Sequence, residues 1–356
     1  MRIANRWLVQ IFGITAVVVL LVAACGSDDT ANEPAVSEPA PEQTTTAQPE
    51  PDRDVEHRIS IVTAFPNNNF YQSMYCGARE AAAELGNIVV DIQGSDTIAA
   101  AEELLVFESV VLSEPDGIVL IPYDSQAFIA PVQQQMERGL PIVTADGSLD
   151  EPVDILNIRT DNAAGGAILA EEMAKAVPDD AVVGAVTASP TDTVQIQRTE
   201  AFIKRFQELK PDATILEIEY AETDANKANA IVSAWILSEP GLAGVFTSAG
   251  EQAEGAGAAV SAAGRDDIVV YTYDAFEPTV ALLREGVVKG ILAQSPYDQG
   301  YVSTLNLGKI LQGSLEIGDV DPYQRFSALK FIDLSNIDTE EAFPFLQDKP
   351  INCPFP

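Results

Sequence analysis

From residue 59 to residue 312 the chain repeats one unit: a short apolar run, then a longer stretch with apolar residues three and four apart. Runs at 59–63, 88–92, 117–121 and 141–145 read as strands. The stretches at 69–85, 98–112 and 127–138 read as helices, with Gly86 and Gly139 as stops. After an extended piece at 155–158 the rhythm resumes. Helices are expected at 161–176, 193–209, 224–238, 251–263, 277–285 and 298–312, and strands at 181–187, 214–220, 243–247, 268–273 and 290–295. Apolar runs that each feed an amphipathic helix predict parallel strands covered on both faces. These units are too many for one ordinary sheet, so the pattern predicts an α/β fold of two doubly wound, Rossmann-like parallel-sheet lobes. Ligands of such sheets sit at the carboxyl ends of the strands, and two facing lobes make a cleft there.

The 54 acidic residues against 20 basic ones give a net charge of −34. So acidic a surface repels phosphate backbones, which excludes nucleic acid as an expected partner. The lone histidine, His57, precedes the first strand, so imidazole chemistry and histidine metal ligation are not expected in the folded part. Cys25, Cys76 and Cys353 match no zinc or redox spacing, and no metal or cofactor is predicted.

Residues 1–24 have the layout of an export signal: Arg2 and Arg6, an apolar run, then small residues before Cys25. The end of this segment, VAAC, resembles a bacterial lipobox, which implies cleavage before Cys25 and a lipid anchor on it. An uncleaved membrane helix is the competing reading, and it too puts the rest of the chain outside. Residues 25–57 are rich in Pro, Glu, Thr and Ala with little to bury, and read as a disordered tether.

Several chemistries are excluded. No Gly-x-Gly-x-x-Gly follows a strand; Gly255 and Gly257 fall inside a helical stretch, where close packing explains them. Ser189, Ser248 and Ser295 have no histidine partner for a triad. Asp146 and Asp274 could act as the carboxylate pair of a hydrolase, a minor alternative to a non-enzymatic role.

The stretches NNNFYQSMYCGAREAAAELG (67–86), PDGIVLIPYDSQA (115–127), LPIVTADGS (140–148), RTDNAAGG (159–166), QRTEAF (197–202), VVYTYDAFEP (269–278) and ILAQSPYDQG (291–300) occur in the order in which they resemble the type I, ribose-binding class of periplasmic solute-binding proteins. The resemblance covers 59–333. It implies a hinged trap with three crossings between the lobes, placed near 160–162, 294–297 and 322–327. The expected first lobe is 58–161 plus 295–324, the second 162–294 plus 325–335, and 336–356 is a tail tied to the first lobe. LacI-type repressors share the fold, but no helix-turn-helix precedes this one.

The resemblance assigns seven ligand contacts. Asn68 matches an amide that bridges hydroxyls. Phe70 and Tyr71 match an aromatic pair that packs on a sugar ring, with core packing as the competing role of Phe70. Asp146 matches an acceptor for hydroxyls, with a turn as the alternative. Arg198 matches a planar fork for adjacent oxygens, with a solvated helix charge as the alternative. Asp274 and Gln294 complete the set. Three family contacts are missing: an arginine where Gly147 stands, an Asn-Asp pair where Ala249 and Gly250 stand, and an aromatic where Thr223 stands. Tyr123, Glu251 and Tyr273 are the candidate substitutes. With Cys25 lipidated in an oxidising compartment, Cys76 and Cys353 are expected to pair as a disulfide rather than stay free thiols.

The expected function is a monomeric, non-enzymatic, lipid-anchored substrate-binding protein of an ABC importer. It would sit in the periplasm or on the outer face of the cytoplasmic membrane and take a sugar, polyol or similar small polar solute. A sensory component serving a chemoreceptor or kinase is the alternative.

Overall fold

The computed structural model describes residues 55–346. The export signal, Cys25, the tether up to residue 54 and Cys353 lie outside the described residues. In chain order the elements are β1 (His57–Ala64), α1 (Asn69–Leu85), β2 (Ile88–Ser95), α2 (Ala100–Leu112), β3 (Gly117–Leu120), α3 (Ile129–Glu137), β4 (Ile142–Ala145), β5 (Asn157–Arg159) and α4 (Asn162–Ala176). They continue with β6 (Val182–Thr187), α5 (Thr193–Leu209), β7 (Thr214–Ile215), β8 (Glu219–Tyr220), α6 (Ala225–Ser238), β9 (Leu242–Thr247), α7 (Gly250–Ala263) and β10 (Val269–Tyr273). Last come α8 (Glu277–Arg284), β11 (Val288–Ala293), α9 (Pro296–Leu311), β12 (Gln324–Phe326) and β13 (Lys330–Ile332).

Two sheets result. The first has the order β12-β5-β4-β3-β1-β2, and the second β13-β11-β10-β9-β6-β7 with β8 beside β6. Every pairing is parallel except β11 with β13. The α/β class with two parallel-dominated sheets is as the sequence pattern predicts.

Burial on both faces explains why the central strands read as continuous apolar runs. In the first sheet Ile59, Ile61 and Val119 pack with α1 and α9 on one face, through Met74, Ala78 and Leu307. Their neighbours Val62, Ile118 and Leu120 pack on the other face against Phe107 of α2 and Val132 of α3. This is the period-two alternation of a strand spent on two cores.

The chain crosses between the sheets three times: between β5 and α4, between β11 and α9, and between β12 and β13. Several boundaries differ from the sequence reading. His57, assigned to the tether, is the first residue of β1 and pairs in register with Ile88. The strand expected at 214–220 is broken into β7 and β8, because 216–218 leave the ladder. The strand expected at 290–295 ends at Ala293, so Gln294 and Ser295 form the crossing itself. Arg325 and Phe326, assigned to the second lobe, pair with β5 in the first sheet, which moves the third crossing to 327–329. Ile337 and Ala342, in the tail expected on the first lobe, are buried in the core of the second.

Candidate functional site

The carboxyl ends of the strands in both sheets meet at one cavity of about 60 Å³. Much of the lining follows a strand: Asn68 after β1, Tyr123 after β3, Asp146 after β4, Asp192 after β6, Ala249 and Glu251 after β9, Asp274 after β10, and Gln294 after β11; Phe70 and Tyr71 on α1 and Arg198 on α5 join it. This is where an open parallel sheet leaves backbone ends and helix N-termini facing a ligand. Phe65, Asp146 and Asp274 all have positive φ, at 47°, 58° and 68°. They are three of the five such non-glycine residues among those described, so left-handed backbone is concentrated at the strand ends around the cavity.

All seven residues singled out from the sequence, Asn68, Phe70, Tyr71, Asp146, Arg198, Asp274 and Gln294, line this cavity. Asn68 caps α1: its Oδ1 accepts from Phe70 N at 2.8 Å, and its Nδ2 donates to Glu251 Oε1 at 2.8 Å, joining the lobes directly. Phe70 serves the core as well as the cavity, being buried with Met74 and Ile59. Its ring meets Tyr71 edge-on at 5.2 Å. The hydroxyls of Tyr71 and Tyr123 share a hydrogen bond of 2.5 Å, and Tyr71 also donates to Asp146 Oδ2 at 3.3 Å.

Arg198 is not a solvated helix charge but a buried guanidinium, 3% exposed. Its Nε donates to Asn162 Oδ1 at 2.8 Å, Nη1 to the Ser248 carbonyl at 3.0 Å and Nη2 to Gln294 Oε1 at 2.8 Å. It lies 4.2 Å above the ring of Tyr273. Gln294 passes the connection on, its Nε2 donating to Asp274 Oδ1 at 2.6 Å while Oε1 also accepts from Thr160 Oγ1 at 2.6 Å. Thr160 and Gln294 stand in two different crossings, so this network ties the site to the connection between the lobes.

Tyr123 and Glu251 line the cavity, whereas Tyr273 lies behind Arg198 with its hydroxyl on the Asn162 carbonyl. As a substitute contact Tyr273 is therefore corrected to a supporting residue. At Gly147 a Cβ would stand 2.1 Å from the Pro122 carbonyl, so no arginine fits there without moving the backbone. Sequence reading missed Asp192 and Gln195. Asp192 caps α5, accepting from Gln195 N at 3.0 Å; an aspartate closing the loop after β6 was the available signal.

Burial dominates the electrostatics. It pushes the Asp146 carboxyl up to about 6, against the pull of Arg198 and with the push of Asp192 and Asp274. Burial, then Asp274, raises Glu251 to about 6. Asp192 and Asp274 are raised by burial too, with Arg198 opposing in both.

Behind Tyr123, Glu103 of α2 is fully buried. Its Oε2 accepts from Tyr123 N at 3.3 Å, Oε1 has no hydrogen-bond partner, and burial pushes the group up to about 8. A carboxyl whose folded pKa exceeds its unfolded value contributes stability that is complete below the unfolded pKa. That contribution is lost as pH rises through the folded one, here from about 4.5 through about 8. Glu103→Gln removes this cost, so melting curves should show the variant more stable than the parent at pH 9 by roughly a few kcal/mol. The advantage should shrink toward pH 5; a constant offset across that range would contradict the assignment.

The family assignment rests on comparison with known proteins. Residues 59–315 match the periplasmic binding protein domain family. The D-ribose/D-allose-binding protein of Pseudomonas aeruginosa is 24% identical over 265 residues, covering 72% of this chain and 82% of the relative. The ribose import binding protein RbsB of Escherichia coli K12 is 25% identical over 257 residues, covering 72% and 85%. Among solved structures, an ABC transporter solute-binding protein of Agrobacterium vitis bound to α-D-tagatopyranose aligns with a TM-score of 0.75 at 26% identity, covering 82% of this chain and 99% of that one. These are binding proteins, not enzymes, and the hydrolase alternative falls with that. With a match over most of its folded length and the two-sheet architecture above, the chain belongs to the periplasmic binding protein family.

Proposed function

We propose that this protein is the extracytoplasmic substrate-binding lipoprotein of an ABC importer, and that it closes two lobes around a sugar, polyol or similar small polar solute. One observation carries the reading: side chains from both lobes converge on a single cavity whose walls pair aromatic rings with carboxylates and amides. Rings such as Phe70, Tyr71 and Phe276 suit the apolar face of a sugar, and the carboxylates and Gln294 suit its hydroxyls. The ribose, allose and tagatose ligands named for the relatives fit this chemistry. A solute that touches both lobes prefers the closed form and shifts the population toward it, presenting a surface a permease can read.

The anchor on Cys25 and the Cys76–Cys353 disulfide belong to the same proposal. The mature chain, purified from membranes, tests all of it. Intact mass should report acylation at Cys25 and the loss of two hydrogens from the thiol pair. A thermal-shift panel of sugars and polyols should give a saturable rise in melting temperature, about 2.7 kcal/mol of stabilisation at a hundredfold excess over Kd. Asp274→Ala should abolish that rise. A folded, ligand-free protein that responds to no member of the panel would refute the carbohydrate reading.

A further inference from the structure

We infer that the preferred solute carries a protonated amine, an amino sugar or amino polyol rather than a neutral sugar. This rests on the solute-binding reading above and names the class of ligand for it. Four carboxylates, Asp146, Asp192, Glu251 and Asp274, line the cavity, and Arg198 is the sole basic side chain there. Full ionisation therefore leaves a formal charge of −3 on the walls.

Arg198 supplies the one positive charge in that count, and three of its five donors go to the neutral oxygens of Asn162, Ser248 and Gln294 rather than to any of the four carboxylates. The position where the resembling family carries a further arginine is Gly147, and the Pro122 carbonyl closes it to any side chain. Each carboxylate already accepts a hydrogen bond, but from a neutral donor: Asp146 from Tyr71, Asp192 from Gln195 N, Glu251 from Asn68 and Asp274 from Gln294. Asp146 is 6% exposed, and its Oδ1 has no hydrogen-bond partner. Asp192 and Asp274 both act on Asp146 through space, and Asp274 acts on Glu251. Burying this much like charge is costly unless a cation enters with the ligand.

The cation is organic rather than a metal ion: among the described residues no group of three or more acidic, histidine or cysteine side chains converges closely enough to hold a metal. An ammonium suits a site whose acceptors are spread around a ring. It donates three hydrogen bonds, which the carboxylates lining the cavity can accept, and the rings of Phe70 and Tyr71 leave the apolar face of a sugar its usual seat.

The test is calorimetric titration of the mature chain with matched pairs: D-glucosamine against D-glucose, D-galactosamine against D-galactose, with N-acetylglucosamine, D-ribose, D-allose and putrescine as controls. At pH 7.5 at least one amino sugar should bind about 10-fold or more tighter than its hydroxyl parent, the size of one charge-assisted hydrogen bond. N-acetylation should remove the gain. In Asp146→Asn the ratio of amino to neutral affinity should fall several-fold, and Glu251→Gln provides a second variant should the first fail to fold. Neutral sugars binding as tightly as their amino partners would overturn this inference and leave the carbohydrate reading standing. Putrescine binding with no response to any sugar would keep the cationic ligand but refute the carbohydrate. Silence across the whole panel would overturn both.

Discussion

Arg198→Ala should lower the stability of the protein by about 3–5 kcal/mol, the cost of breaking a buried, hydrogen-bonded charge constellation. For a chain of this size that is a fall in melting temperature of roughly 10 °C. The guanidinium holds Asn162, the Ser248 carbonyl and Gln294 together, and its loss removes one buried hydrogen bond from each, Gln294 keeping only that from Thr160 on its oxygen. It also opposes the upward push on Asp146, Asp192 and Asp274, so those carboxyls rise further without it. Groups with raised folded pKa values lose their contribution as pH rises, which gives the deficit a sign: larger at pH 8 than at pH 5. Arg198→Lys should recover part of the charge effect but not the three-point geometry. A variant that melts with the parent at both pH values would show that Arg198 does not organise the site.

The second large effect is expected far from the cavity. Gly77 of α1 and Gly300 of α9 are the points where these helices touch backbone to backbone: a Cβ at Gly300 would stand 1.9 Å from the Met74 carbonyl, and one at Gly77 2.0 Å from that of Tyr297. Alanine normally improves a helix by up to ~1 kcal/mol over glycine. At Gly300 it must instead push two backbones apart, and overpacking of this kind costs ~3 kcal/mol, outweighing the propensity gain. Gly308→Ala in the same helix is the control, because its Cβ would meet first the flexible tip of Leu85. Chemical denaturation should rank parent and Gly308→Ala close together and Gly300→Ala well below. Since α9 begins directly after the crossing at Gln294, Gly300→Ala should also weaken ligand binding. Equal stability of the two alanine variants would refute the close-packing argument.

The two-sheet fold was legible because hydrophobic periodicity reports strand and helix directly, and helix ends such as Asn68 and Gly86 carry their own chemical signals. The short strands were not. β7 and β8 are two residues each, too short to show alternation, and β12 carries the exposed Phe326. The cavity lining was legible where a residue follows a strand within a recognisable stretch, as at Asp146 and Asp274. Asp192 escaped because the loop after β6 contains several polar residues, and only the packing of α5 decides which one turns inward. Tyr273 was misplaced by one step of strand alternation: its neighbour Asp274 faces the cavity, and its own ring lies beneath Arg198.

The crossings also set the order in which this protein can fold. The first sheet needs β12, and the helical layer over it needs α9, yet both are made only after the entire second sheet up to β11. An emerging chain can lay down β1 to β5 early, but it cannot cover their α1 face with its proper partner until residue 311, nor finish the sheet edge until residue 326. Contacts between such distant segments are slow to form because a long loop must close first. Completion of the first lobe therefore waits for nearly the whole chain, whereas β6 to β11 of the second sheet are complete by residue 293.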